Sequence, residues 1–387
     1  MSQPSTQKQE QQTASEEVVE VAPGVLRMQL PIEMPGLGHV NMYCLLDDEG
    51  AAVVDPGLPG EANWEAVVQR LGQADLEVRH VHTVLITHSH PDHFGGAGRF
   101  RAETDCRVIA HEKFSLLSGA GQRPHLEVSV EHLHDHGHDH AHGQDESHGA
   151  PGPRPVPDTT DDDIPWMRDL GQRPPTPWGG RPPAPTPEQM ERWEKMRAAG
   201  ASTFMPRLTH VVGAGSRLRL AGRDWFVLHT PGHTEDHFCL HDPDEGIFLA
   251  GDHVLPSITP HISGLGEIED PLQAFYDSLE EVAEIPDVRR CLPAHGHPFD
   301  DLPLRARAIR QHHDERLEKI KGISKRLGPA TVEDISKQLF QERNWGSMAE
   351  SETYAHLEHL RLRGQAEHHR REDGWLIYET DAPAAGF

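Results

Sequence analysis

Apolar residues recur along this chain in short runs, alternating with polar ones or continuous for five or six positions, and most runs end at Gly, Pro, Asn or Asp. Such runs read as strands. In the first third they fall at Val18–Val21, Val25–Leu30, Met42–Leu46 and Ala51–Val54, the last two joined around Asp47-Asp48-Glu49-Gly50 as an antiparallel hairpin. Trp64, Val67, Val68 and Leu71 then recur at helical spacing and predict an amphipathic helix on the sheet. Strands Val81–Ile86 and Cys106–Ala110 follow. After a long interruption the pattern resumes at Arg217–Leu220, Asp224–His229, His237–Leu240 and Ile247–Ala250. A helix carrying Leu272, Phe275, Leu279 and Val282 leads to a last strand, Val288–Leu292. Two strand-rich halves with outer helices predict an α/β protein.

The interruption, residues 119–205, has no apolar periodicity. His132–His148 holds seven histidines in seventeen residues, and Pro151–Pro187 holds twelve prolines in thirty-seven. The first composition cannot bury enough surface to fold alone, and the second is stiff and extended. The histidine-rich run reads either as a metal-gathering arm or as a solvated loop. Trp166, Met167 and Thr176-Pro177-Trp178-Gly179-Gly180 are apolar for a linker and call for a partner surface. With a helix expected over Glu188–Ala199, carrying Met190, Trp193 and Met196 on one face, the insertion is expected to form a lid over a cleft, or else an oligomer contact.

Residues 303–380 predict a further unit. A charged helix runs from Leu304 to about Leu327 and ends at Gly328-Pro329; Thr331-Val332-Glu333-Asp334 has capping-box form ahead of Ile335–Phe340. Thr353–Arg363 is helical in pattern, and Ala366–Arg371 can pair with Trp375–Glu379 as a hairpin. Residues 1–17 are polar and are expected to be a disordered tail.

Chemistry concentrates where strands run out. Thr87-His88-Ser89-His90-Pro91-Asp92-His93 follows the strand at Val81–Ile86, and imidazole with carboxylate is the ligand set of catalytic zinc and its neighbours. A two-metal site needs more ligands, and three later strands end at candidates: His233 after Thr230-Pro231-Gly232, Asp252 after Gly251, and His295 after Pro293-Ala294. Taken in order, these motifs resemble the metallo-β-lactamase superfamily of hydrolases, in particular its glyoxalase-type dinuclear members, over about residues 20–118 and 205–300.

That resemblance implies a four-layer αβ/βα sandwich over residues 18–302, followed by a C-terminal domain that resembles the winged helix of lactamase-like endoribonucleases and thioesterases. It implies that His88, His90 and His233 hold one divalent metal and Asp92, His93 and His295 a second, with Asp252 shared between them. Zinc is the expected metal, with manganese or iron as alternatives. Asp92 is also expected to orient the attacking water. Asp55, in Val53-Val54-Asp55-Pro56-Gly57, reads either as a carboxylate orienting a ligand histidine or as a turn former. His111, beyond Ala110, is expected at the surface, and the glycines of Phe94-Gly95-Gly96-Ala97-Gly98 are expected to let backbone approach the metals.

A net charge of −26 argues against a phosphate-backbone partner unless basic residues gather in one patch. The four cysteines have no paired spacing, and no apolar run approaches a membrane span or an export signal, so a cytoplasmic protein with no membrane partner is expected. The expected activity is hydrolysis of a small acyl ester or thioester. The alternatives are an endoribonuclease using the winged helix, for which the charge is unfavourable, and a non-catalytic metal-binding regulator. For the C-terminal unit, packing or homodimerisation is favoured over nucleic-acid binding.

Overall fold

The computed structural model describes residues 7–34, 36–115, 150–156, 175–180, 187, 190–191 and 205–380. Two sheets face each other. The first has eight strands in the order β1-β2-β3-β4-β5-β6-β8-β7: β1 (Val19–Ala22), β2 (Val25–Met34), β3 (Leu37–Asp47), β4 (Gly50–Val54), β5 (Val81–Leu85), β6 (Arg107–His111), β7 (Arg154–Pro155) and β8 (His210–Val212). The second runs β13-β12-β11-β10-β9, from β9 (Arg217–Leu220), β10 (Arg223–His229), β11 (Phe238–Asp242) and β12 (Ile247–Gly251) to β13 (Arg290–Pro293). Neighbouring strands β1 to β4 and β9 to β12 pair antiparallel, whereas β4, β5, β6 and β8 pair parallel, as do β12 and β13.

Side-chain alternation along each strand builds three apolar layers. In β4, Ala52 and Val54 enter the layer between the sheets while Ala51 and Val53 face the outer helices; in β12, Ile247 and Leu249 face inward while Phe248 and Ala250 face outward. Helices α1 (Glu61–Gln73) and α3 (Ala97–Glu103) cover the first sheet through Trp64, Val67, Leu71 and Phe100. Helix α4 (Pro271–Ala283) covers the second through Leu272, Phe275, Leu279 and Val282. The four-layer order is therefore the observed one. Between α1 and α3 lies the single turn α2 (Pro91–Phe94). Gly95 and Gly96 beside it serve packing rather than metal access, because a Cβ at Gly95 would stand 2.0 Å from Pro59 N and one at Gly96 2.5 Å from Pro56 O.

The C-terminal segment comprises α5 (Leu302–Leu327), β14 (Ala330–Thr331), α6 (Val332–Leu339), α7 (Ser347–Leu362), β15 (Glu367–Arg370) and β16 (Leu376–Glu379), with β16 between β14 and β15. Thr331 caps α6 through the expected reciprocal bonds with Asp334. This segment is not set apart from the sandwich. One apolar cluster runs from Phe248 and Cys291 on the second sheet, through α4 and α5, to Leu357, Leu360 and Tyr378. Helix α7 is buried around most of its circumference, including Glu352, His356, Glu358 and His359.

Residues 7–17, expected as a disordered tail, pack on the sandwich. Glu10 is fully buried, and its carboxylate accepts hydrogen bonds from Ser257 N (2.7 Å), Ile258 N (3.0 Å) and Ser257 Oγ. Of the insertion, residues 150–156 return to the first sheet, where Arg154 pairs with Val211. Trp178 is 1 % exposed, but it buries against the C-terminal segment rather than at a cleft mouth. Its ring lies 5.1 Å from that of Tyr354, its Nε1–H donates to Glu350 at 3.2 Å, and its carbonyl accepts from Leu376 N at 2.9 Å. The run His132–His148, the Trp166-Met167 pair and the Glu188–Ala199 helix, but for Met190 and Glu191, lie outside the described residues.

Replacing Trp178 with Ala is expected to destabilise the protein by about 3–5 kcal/mol, the range for truncating a buried aromatic. Denaturant unfolding checks it, and a change under about 1 kcal/mol would mean that the insertion does not hold the C-terminal segment.

Candidate metal centre

Four strand ends deliver the site. After β5 the chain runs through Thr87–His90, and Pro91 opens α2, where a missing N–H leaves no helical bond unmade. This single turn carries Asp92 and His93 to the same place as His88 and His90. His233 follows β10 beyond Pro231-Gly232. Gly232 has φ +132° and an added Cβ would stand 2.4 Å from Phe275 Cβ, so the turn closes on α4 only with glycine. Asp252 stands at the end of β12 and His295 two residues beyond β13.

The seven expected ligands converge in two adjacent groups, His88, His90, His233 and Asp252 in one and Asp92, His93 and His295 in the other. Within each group the donor atoms all lie within 4.8 Å of one another. His90 Nδ1 is 3.0 Å from His88 Nε2 and 3.1 Å from His233 Nε2. Asp92 Oδ2 is 3.6 Å from His93 Nε2 and 3.5 Å from His295 Nε2. Asp252 faces both groups: Oδ2 is 3.5 Å from His233 Nε2 and 3.6 Å from His93 Nε2, and Oδ1 is 3.2 Å from His295 Nε2.

Partners on the far side of the rings decide which nitrogen faces inward. His233 Nδ1 donates to the His261 carbonyl at 2.7 Å, and His295 Nδ1 donates to the His39 carbonyl at 2.6 Å. His93 Nδ1 donates to Asp55 Oδ2 at 2.9 Å. Thr87 Oγ1 donates to the same Asp55 oxygen at 2.8 Å, which leaves it free to accept from His88 Nδ1 at 3.1 Å. Each of these four rings thus turns Nε2 to the centre, the nitrogen that, once free of a proton, gives a metal its lone pair. Three buried atoms there, His93 Nε2, His295 Nε2 and Asp252 Oδ1, have no hydrogen-bond partner. Inward ring nitrogens and orphaned atoms, with a carboxylate common to both groups, fit two divalent cations.

Electrostatics agree with the geometry. Burial, reinforced by the neighbouring imidazoles, holds His88 and His90 well below the ordinary histidine pKa and so neutral. Burial acts the same way on His93, but Asp92, Asp55 and Asp252 outweigh it and lift this residue well above the ordinary value. For His295 too, burial is outweighed, chiefly by Asp252, and the pKa is raised. Burial would raise Asp252, but His295 and His93 bring it well below the usual carboxylate range. The second group therefore favours positive charge, which a cation supplies in place of protons.

Asp55 stands in a turn and also bonds a candidate ligand ring. It has φ +56° at the Pro-Gly turn, and its carboxylate also accepts from Thr87 N at 2.9 Å. His253 turns away from the centre, its ring 5.1 Å from that of Phe275, in a turn beyond β12 that its N–H closes on the Ala250 carbonyl at 3.0 Å. His111 is buried rather than at the surface; it stacks on His229 at 4.1 Å, and burial pushes its pKa down to about 3. His237 was not signalled by the strand-end pattern. It is fully buried, lies 2.7 Å from Thr230 Oγ1 through Nδ1, and accepts the Asp252 backbone N–H through Nε2 at 3.0 Å. Its position four residues after His233, in the same turn, was the only available sign.

Substituting Asp55 with Ala is expected to weaken metal retention by about 10–100-fold, the usual effect of losing a carboxylate behind a ligand histidine. Chelator competition followed by elemental analysis measures it, and unchanged retention would leave Asp55 as a turn former alone.

Comparison with known proteins accords with this arrangement. The model of the metallo-beta-lactamase superfamily matches residues 35–183 and 166–295. A solved structure of a metallo-beta-lactamase family protein from Thermus thermophilus superposes with a TM-score of 0.66 at 26% identity, covering 93% of this chain and 100% of that one. Among curated relatives, a hydroxyacylglutathione hydrolase of Xanthomonas axonopodis pv. citri (strain 306) is 33% identical over 114 residues, 29% of this chain and 41% of that protein. The atrochrysone carboxyl ACP thioesterase of Claviceps purpurea (strain 20.1) is 29% identical over 136 residues, 33% of this chain and 40% of that protein. The chain spans less than half the length of such curated relatives. The family match extends through both sheets of the sandwich, and the chain belongs to the metallo-beta-lactamase superfamily.

Proposed function

We propose that this protein is a dinuclear metal-dependent hydrolase of small acyl esters or thioesters. The observation that carries the reading is the Asp252 carboxylate, within 3.6 Å of ligand nitrogens from both groups. His88, His90 and His233 would hold one cation, and Asp92, His93 and His295 the other, with Asp252 common to both. Five imidazoles and two carboxylates suit zinc. When bound, such a pair supplies Lewis acidity toward the acyl oxygen and makes water acidic enough to attack near neutral pH. The chain's own part is to orient and to exclude solvent. Thr87, Asp55, His39 and His261 fix the ligand rings, His237 fixes the Asp252 backbone, and Asp92, beyond holding the second cation through Oδ2, would orient the attacking water.

The thioester preference is supported by relatives named as a hydroxyacylglutathione hydrolase and an ACP thioesterase. We read the α5–β16 segment as a winged-helix-like module used for packing. In that reading α7 would be the helix offered to a nucleic-acid groove, yet Glu352, His356, Glu358 and His359 on it are all turned into the protein. This burial weighs against the endoribonuclease alternative.

Full-length protein supplied with zinc is expected to hydrolyse an acyl thioester, with kcat falling about 10²- to 10⁴-fold for Asp92→Asn. Steady-state assays on a thioester and a single-stranded RNA in parallel decide the matter. RNA cleavage without thioester turnover would transfer the function to the nuclease class, and full metal loading with neither activity would leave a binding protein.

A further inference from the structure

Away from the candidate centre, a second buried cluster of ligand-type side chains lies where α5 meets α7. His313 of α5 faces Glu352 and His356 of α7, and one donor atom from each lies within 4.8 Å of the other two. His313 and His356 are fully buried and Glu352 is 8 % exposed. Such groups are placed out of water only when each finds a partner.

His356 is oriented in this cluster as the rings of the metal centre are. His356 Nδ1 donates to the Glu352 carbonyl at 2.7 Å, so Nε2 carries the lone pair, and that atom lies 3.0 Å from His313 Nδ1. The separation matches the 3.0 and 3.1 Å contacts among the imidazoles of the first group. His313 Nε2 is buried without a hydrogen-bond partner, so bonding between the two rings does not satisfy this side chain. The Glu352 carboxylate is held by Arg316 through Oε1, which leaves Oε2 for the cluster; it is also 3.5 Å from His261 Nδ1. Ligating carboxylates are commonly anchored in this way. Glu352 and His356 are four residues apart on one helix and so share a face.

We propose that His313, Glu352 and His356 form a third metal site, for a divalent cation of the zinc class, that pins α7 to α5 behind the loop that follows Asp252. Two imidazoles and one carboxylate are a zinc-type set and suit magnesium or calcium poorly. The site's role follows from its neighbours. The loop after Asp252 already binds α7 through Ser263 Oγ and Gly264 N, which meet Ser351 Oγ at 3.0 and 3.2 Å. The same loop supplies the His261 carbonyl that orients His233. A cation between α5 and α7 fixes α7, and with it Ser351, against which that loop is bonded.

The test is anomalous diffraction at the zinc edge from crystals of the full-length protein grown with zinc, paired with elemental analysis of His356→Gln and Glu352→Gln. The expected result is a peak about 2.0–2.2 Å from donor atoms of His313, Glu352 and His356, and a loss of one zinc per chain in each variant relative to the parent. No peak at this cluster in crystals whose catalytic groups are occupied would overturn the proposal, leaving a proton shared between His313 and His356. If a variant fails to fold, the diffraction measurement on the parent still decides. Because the peak is located by position, its presence or absence does not depend on thioester activity.

Discussion

Gathering five imidazoles and two carboxylates in one largely buried place is unfavourable unless every atom that leaves water finds a partner, and much of this protein supplies those partners. Four of the five candidate ligand rings spend one nitrogen on the protein and keep the other for the centre. Backbone carbonyls of His39 and His261, the Thr87 hydroxyl and the Asp55 carboxylate take the outer nitrogens. Each of these partners must in turn be held. Asp55 is fixed by a left-handed turn, His39 by the Gln12 carbonyl and Gly296 N, and His261 stands on a loop gripped from two sides.

That two-sided grip explains how segments remote in sequence come to matter at the centre. From one side, the Glu10 carboxylate caps the Ser257 and Ile258 amides, and Arg305 of α5 donates to the Leu255 and Ile258 carbonyls. From the other, Ser351 and Glu352 of α7 meet Ser263, Gly264 and His261. The C-terminal segment is thus part of the scaffold that sets ring orientation, and Trp178 joins it to the insertion.

The candidate ligands were legible because each stands where an apolar strand ends, a placement that hydrophobic patterning marks directly. Sheet assignment was legible for a similar reason, since alternation in β4 and β12 separates the layers. What escaped was polar burial. Glu10 looks like one more acidic residue in a Gln-rich stretch because the amides it caps lie some 247 positions away. Glu352, His356 and Glu358 look like an exposed helix face because sequence spacing does not distinguish a solvated charge from one satisfied by a distant arginine or tyrosine. Trp178 was recognisable as needing burial, but pattern alone does not name the surface it meets. His237 hides among the chain's thirty histidines.

The bonds that complete the centre are strongly non-local. Asn41 donates to the carbonyls of Pro293 and Gly296, 252 and 255 positions away, His297 meets Gln12 across 285, and Glu10 meets Ser257 across 247. Contacts of such separation require large loops to close before any interaction repays them, which slows folding and places these bonds late. During synthesis the first strands emerge with four of the seven candidate ligands and wait for the rest. The candidate centre is therefore completed at the end of folding, when residues 7–17 and the C-terminal segment meet across the same loop.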